Sequence, residues 1–580
     1  MKTITALVFP LIQPASAAFG CAVRHLLSDM QCAAWNTDSK GHVDRPFRLC
    51  PTDMEKWAEH VAAHLRIVGP LKISMLKTVR SASLSQILAF HTSVHTRGSG
   101  SDIAPHRPWD FDEALSGYED ILASPIGYVF AALNRHWLEM SKISTTHTGH
   151  SSTFIKQAHP FFVPGGRFRE PYYWDSYWIL RGLLRSNMYL SARHLAENTA
   201  SMIEKFGHVP NGARTYYLNR SQPPLFPHML LALLNSDTHH NAHFVLGRGL
   251  DAAIAEHAWF EQHRSVSVRR GDCVYDLNLY HVSASAPRPE AFCQDSHTTR
   301  GLTESEALRV FSNLQTAAES GWDFSTRWLA SEEDLRSIWI LDLIPADLNA
   351  IMFANEKIIA RLLRERGDAE AAETYDHRAH RRRAAINALL WNAKTLSWND
   401  YNYVLDVFND KRFYFSNLAP LVYGMDPPNA ISVARVLRRH RRVLFGFPGG
   451  VPASGASPVL SKEQWDFPNV WAPHPSMLVD FLLRRGERYL AYHAARSFFE
   501  SVRSGYDRDG VFYEKYSCLY PGLSGDGGEY VAQTGFGWTN GTALDFIAEF
   551  WREFLHPFDH AASYRYIKQY LDSLVADYAL

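Results

Sequence analysis

The 580-residue chain has only six cysteines, Cys21, Cys32, Cys50, Cys273, Cys293 and Cys518. That is too few for a disulfide scaffold, and no CxxC or Cys/His spacing suggests a structural zinc. Bias of charge is also missing: 59 Lys and Arg stand against 60 Asp and Glu, for a formal net charge of −1. Such a balance gives no electrostatic reason to expect nucleic acid or an acidic membrane as partner. No apolar run after the N-terminus is long and charge-free enough to span a bilayer, and the C-terminus lacks the apolar tail of a lipid-anchor signal. The histidines form no HExxH, and the glycine-containing stretch near Gly525–Gly528 is not followed by the Gly-Lys-Ser/Thr of a phosphate loop. Neither a metal nor an organic cofactor is therefore expected.

Apolar and aromatic residues are plentiful, at 46% and 13%, enough for a large core. Residues 1–18 combine Lys2, an apolar run from Ile4 to Ile12 interrupted by Pro10, and the small residues Ala15-Ser16-Ala17-Ala18. This is the pattern of a cleavable secretory signal. With it, the protein is secreted or periplasmic and one or two disulfides can form; without it, the protein is cytoplasmic and the cysteines are ordinary thiols. The basic clusters Arg378 to Arg383 and Arg438 to Arg442 are expected on solvated helix faces.

Apolar residues recur at three- and four-residue spacing over Tyr177 to Leu184, Ser191 to Phe206, Pro224 to Leu234, Leu348 to Arg366 and Ala369 to Leu390. Ala430 to Arg442, Ser476 to Leu490 and Thr542 to Leu555 follow the same rule. Strand signals are short and scattered, as at Val266-Ser267-Val268. Trp-Asp pairs at positions 109, 174, 322 and 465 lie too far apart, among helices, for a β-propeller. The pattern predicts an all-α fold of stacked helical hairpins with functional motifs in the connecting loops.

Those loops have unusual chemistry. Pro164-Gly165-Gly166-Arg167-Phe168-Arg169-Glu170-Pro171-Tyr172-Tyr173-Trp174-Asp175 puts arginines, carboxylates and aromatic rings behind a Pro-Gly-Gly turn. Flat rings and charge-assisted donors equip a site for a hydroxyl-rich ligand such as a sugar; a helix start with self-paired charges is the structural alternative. Asn211 and the run Asn219-Arg220-Ser221-Gln222-Pro223-Pro224 precede an apolar helix, where Ser221 could serve as a helix-start residue. Arg288-Pro289-Glu290 is a shorter polar element. In Gly321-Trp322-Asp323-Phe324-Ser325-Thr326-Arg327, a carboxyl beside aromatic rings would be desolvated and kept protonated, unless Asp323 simply pairs with Arg327. Gln464-Trp465-Asp466-Phe467-Pro468-Asn469 offers a ring platform and a carboxylate, either a hydroxyl acceptor or a helix cap. Glu514-Lys515-Tyr516 and Asp526-Gly527-Gly528-Glu529-Tyr530 close the series.

The 164–177 stretch resembles, at every fixed position, the first signature of the trehalase family of glycoside hydrolases. Residues 464–473 resemble its second signature, and five blocks fall in family order between about Asp38 and Leu555. The resemblance implies an (α/α)6 barrel and inverting hydrolysis of α,α-trehalose to two glucose molecules, with trehalose and water the only partners. It implies Asp323 as general acid and Glu514 as general base. It also implies substrate contacts from Arg167, Trp174, Asp175, Asn211, Arg220, Ser221, Gln222, Arg288, Pro289, Glu290, Gly321, Trp465 and Glu529. The 524–530 loop resembles the family's lid but is less glycine-rich, with Leu523 and Asp526 intruding. The expected organisation is a signal at 1–18, an N-terminal helical extension over 19–152, the barrel over 153–560 and a tail helix over 561–580. Two rival readings are an inverting hydrolase of another α-glucoside and a non-catalytic sugar-binding protein on the same scaffold. Neither sequon, at Asn219 or Asn540, is expected to be glycosylated.

Overall fold

The computed structural model describes Lys40, Asp44 and residues 102–145, 152–458 and 461–576. The expected signal over residues 1–18 and most of the N-terminal extension lie outside the described residues.

Fourteen of the seventeen α-helices organise what is described. They are α1 (Gly127–Met140), α2 (Asp175–Arg185), α3 (Tyr189–Phe206), α4 (Phe226–Ser236), α5 (Leu250–His263), α6 (Glu304–Glu319) and α7 (Ala346–Arg366). The series continues with α8 (Ala369–Leu389), α9 (Ala419–Val422), α10 (Val433–Phe445), α11 (Pro473–Arg484), α12 (Arg488–Asp509), α13 (Gly537–Phe554) and α14 (His560–Ala576). Periodicity finds α7 and α8 to within two residues, because both carry long apolar stripes and Asp368 caps α8 through the Ala371 N–H. Ser476 to Leu490, read as one helix, is divided between α11 and α12 by a turn at 485–487. Helices α5 and α6 escaped that reading because polar residues occupy their buried faces: Glu256 and His257 on α5, Asn313, Gln315 and Glu319 on α6.

The helices close into a double ring. Among the described residues, α2 packs on α4, α4 on α7, α7 on α9, α9 on α11, α11 on α13 and α13 back on α2. Outside these six lie α1, α3, α5, α8, α10 and α12, so successive helices alternate between the two rings, as an (α/α)6 barrel requires. Closure depends on a bare crossing between α2 and α13. A Cβ on Gly182 would sit 2.5 Å from the Gly541 Cα, and one on Gly541 would sit 2.0 Å from the Trp178 carbonyl oxygen. Only glycine lets the two backbones approach so closely. Helix α6 is inserted between α5 and α7 and packs on the turn Ile340–Asp342. Helix α14 covers α10 and α12.

The strand signal at 266–268 belongs to a hairpin, Ser265–Arg270 paired with Cys273–Asn278. Cys273 and Cys518 are free thiols, and Cys293 is disulfide-bonded. One basic-cluster residue contradicts its expected solvated place. Arg382 is buried, donating to Glu356 at 2.9 Å, Glu261 at 2.6 Å and the Asn278 side chain at 2.6 Å. It ties α8 to α7 and α5.

Candidate active site

Inner-ring helices begin where the sequence motifs end. Trp174 precedes α2, Gln222 to Pro224 precede α4, Asn469–Trp471 leads into α11, and Gly535-Phe536 into α13. One end of the barrel therefore collects all the motif loops, around one pocket. Its wall includes Arg167, Trp174, Asp175, Asn211, Arg220, Gln222, Arg288, Glu290, Gly321, Asp323, Trp465, Glu514 and Glu529. Two expected contacts are not on that wall. The Ser221 hydroxyl donates to the Val209 carbonyl at 2.7 Å and its N–H to Glu319 at 2.9 Å, while Pro289 starts a short 3-10 turn. Both shape the loop instead of facing the cavity.

The Asp323 loop leaves α6 and is pinned from the second signature. Asp466, fully buried, accepts from the Ser325 hydroxyl at 2.8 Å, the Thr326 N–H at 2.9 Å and the Ser461 hydroxyl at 2.6 Å. Of the two roles the sequence left open for Asp466, hydroxyl acceptor or helix cap, the carboxylate fills the first, but for the protein's own hydroxyls: it is a brace for the loop that carries Asp323. The Trp465 N–H donates to the Phe324 carbonyl at 3.0 Å. Arg327 does not pair with Asp323; it pairs with Asp347 and Asp400, each at 2.7 Å. This leaves the Asp323 carboxyl for the cavity.

Rings surround it. Trp465 stacks on Trp471 at 4.1 Å and on Trp322 at 5.4 Å, and Trp174 lies 5.6 Å from Trp465. Burial raises the Asp323 carboxyl to about 7, with Arg288 opposing and Glu529 reinforcing the rise. Glu514 leads into the strand Lys515–Ser517, which pairs antiparallel with Asn469–Trp471 and so fixes the base loop to the second signature. Burial pushes the Glu514 carboxyl up as well. Lys515, the Gln533 N–H at 3.1 Å, the Tyr530 hydroxyl at 2.8 Å and Arg167 all oppose that rise. Asp175, buried near both carboxyls, is itself raised by desolvation first and by its acidic neighbours second.

Three arginines frame the pocket. Arg288 holds Asp295 at 2.6 Å and Glu529 at 2.7 Å and lies 5.0 Å over the Phe324 ring. Arg167 lies 5.0 Å over the Tyr530 ring. Arg220 pairs with Glu290 and lies 4.8 Å over Tyr217, yet its Nε and Nη1 are buried with no hydrogen-bond partner among the described residues. Glu290 Oε2 and Gln294 Oε1 are left in the same condition. Buried polar atoms are almost always paired, so unpaired donors and acceptors on a cavity wall mark where a polar ligand completes the set.

The first signature packs closely on the loop before α13. Gly165 and Gly166 have φ of 127° and 58°, and a Cβ on Gly165 would lie 1.8 Å from the Gly535 carbonyl oxygen. The Pro-Gly-Gly turn is thus required both for its backbone angles and for contact with the loop before α13. On the wall itself, Lys40 donates to Asp44 at 2.8 Å and to Glu170, which in turn accepts from the wall residue Tyr172 at 2.7 Å.

A family model described as Trehalase matches residues 61–550. The chain belongs to the trehalase family. It is 33% identical to the trehalase of Homo sapiens over 534 residues, covering 90% of this chain and 87% of that protein. It is 32% identical to the trehalase of Dictyostelium discoideum over 544 residues, covering 90% and 89%. Among solved structures it is similar to neutral trehalase Nth1 from Saccharomyces cerevisiae, with a TM-score of 0.54, 21% identity and coverage of 71% and 75%. That likeness bears on the fold and agrees with the closed helical ring above. No helix among the described residues is long and apolar enough to cross a membrane.

Several wall residues of this trehalase-family chain were not singled out from its sequence: Gln294, Trp471, Tyr530, Phe536 and Trp538. Most stand inside or beside the motif blocks, so proximity to a signature was the available signal. What was lacking was any indication of which way each side chain points.

Proposed function

We propose that this protein hydrolyses α,α-trehalose to two glucose molecules by a single inverting displacement, with Asp323 as general acid and Glu514 as general base. The observation that carries the reading is the pairing of two buried carboxyls of unlike surroundings on one arginine-framed cavity. Asp323, raised to about 7 by burial, retains a proton near neutrality and can give it to the glycosidic oxygen. Glu514 is surrounded by the Tyr530 hydroxyl, the Gln533 N–H and the charges of Lys515 and Arg167, all of which favour its anion. It is the member suited to take a proton from water attacking the anomeric carbon on the opposite face. The unpaired N–H groups of Arg220 and the free oxygens of Glu290 and Gln294 supply partners for sugar hydroxyls. The wall tryptophans Trp174, Trp465, Trp471 and Trp538 supply apolar surface for sugar C–H groups.

Glucose release from trehalose, compared with maltose and kojibiose, tests the substrate; release from maltose or kojibiose but not from trehalose would overturn it. Proton NMR before mutarotation tests the stereochemistry: each trehalose should yield one β- and one α-glucose, and two α-anomers would indicate retention. The pattern over residues 1–18 supports export. Recovery of a mature chain lacking those residues is expected, and an intact Met1 on exported protein would refute the signal.

A further inference from the structure

Beside the candidate base lies a buried cation whose charge favours the base's anion and whose hydrogen bonds run elsewhere. Lys515 is fully buried, and its ammonium has two hydrogen-bond acceptors, both neutral: Gln464 Oε1 at 3.0 Å and the Gly527 carbonyl at 3.0 Å. It lies 5.0 Å over the Trp471 ring and 5.9 Å from the Tyr530 ring. Gln464 is itself locked. Its Nε2 donates to the Asp323 backbone carbonyl, and its own backbone carbonyl accepts from Asn469 Nδ2 and Trp471 Nε1, each at 2.9 Å. Only one orientation of the amide accepts from the ammonium and donates to Asp323 together. The lid is held on the same framework. The Gly525 N–H donates to the Lys515 carbonyl at 2.9 Å, and Asn469 exchanges hydrogen bonds with the Asp526 backbone at 2.7 and 3.0 Å.

A buried ammonium on neutral acceptors is unfavourable unless a nearby charge answers it. The carboxylates that face Lys515 are Glu514, Asp526 and Asp323. Those facing groups act in return: around Glu514 stand Lys515, Arg167, the Tyr530 hydroxyl, the Gln533 N–H and the raised carboxyl of Asp175, and Lys515 is the strongest influence opposing burial. A purely structural post in this place would be better served by a methionine, which fills similar space without a charge to desolvate.

We propose that Lys515 is a positioning residue that ties the lid at Gly527 to the acid loop at Asp323 through Gln464, fixing its buried ammonium next to the candidate base. This rests on Glu514 being the general base. Removing the ammonium lets burial dominate, so Glu514 keeps its proton to higher pH and the acid limb of the kcat/KM profile moves upward.

The experiment is a pH profile of trehalose hydrolysis by the full chain carrying Lys515→Met, Lys515→Arg or Glu514→Gln. Lys515→Met should lose about tenfold or more at the acid end and much less on the alkaline side, chiefly in kcat. Lys515→Arg keeps the charge and should keep the native acid limb, even with a lower plateau. Glu514→Gln should be nearly inactive at every pH; if it is active, the base assignment has failed, whatever Lys515 does. A deficit in Lys515→Met that is uniform with pH, or absent, overturns the proposal, as does an arginine variant displaced as far as the methionine one. Should the methionine variant not fold, Lys515→Gln replaces it under the same criteria.

Discussion

Replacing Asp323 by Asn should lower activity and raise stability together, and the structure gives the size of each effect. An ordinary aspartate carboxyl titrates near 3.8, whereas burial carries Asp323 to about 7. That difference corresponds to about 4 kcal/mol of penalty on the charged form at most. The carboxyl faces a cavity open to solvent, so screening reduces this to about 1–3 kcal/mol. Because the folded value lies above the unfolded one, stability is undiminished below about pH 4, falls as pH rises towards about 7, and is level beyond it. Asn carries no charge to desolvate. Thermal melting at fixed scan rate should therefore show the two proteins alike near pH 4 and the variant higher at pH 8, by about 1–3 °C in a chain of this size. Trehalose turnover by the same variant should fall by about 10²–10⁴-fold, since a positioned acid has been removed. A variant that melts below the parent at pH 8, or keeps activity within tenfold, would refute the reasoning.

Glu514→Gln should reduce kcat by about 10²–10⁴-fold with the fold intact, read by glucose release and circular dichroism together. Arg220→Lys exchanges a fork holding Glu290, with two unpaired N–H groups on the wall, for a point charge; kcat/KM for trehalose should fall by about 10–100-fold, mostly through KM. Gly165→Ala would bring a Cβ within 1.8 Å of the Gly535 carbonyl oxygen at a φ of 127°. It should cost about 1–3 kcal/mol and impair turnover, because the turn and the loop before α13 must separate; a melting temperature equal to the parent's would count against that contact.

Local order was largely legible from the sequence. Apolar spacing located α7 and α8 almost to the residue, and dense aromatic and charged runs identified the loops that line the pocket. Composition gave no electrostatic reason to expect nucleic acid, and motif resemblance named the family and the two candidate carboxyls. Side-chain direction was not legible. Ser221 and Asp466 have the residue types of ligand contacts, yet the first closes a loop on Val209 and the second braces Ser325 and Thr326. Arg382 stands in a basic run that reads as solvated but is drawn inward by Glu356 and Glu261.

By itself the sequence determined most of the helical segments, which loops carry chemistry and which family those loops resemble, because each of these depends on neighbours a few residues apart. The tertiary structure alone decided that α13 returns to α2 across a glycine crossing, that Asp466 grips a loop 140 residues away, and that Lys515 and Gln464 stand between base, acid and lid. Those contacts exist only once the ring has closed, and helical periodicity carries no information about which distant helix a face will meet.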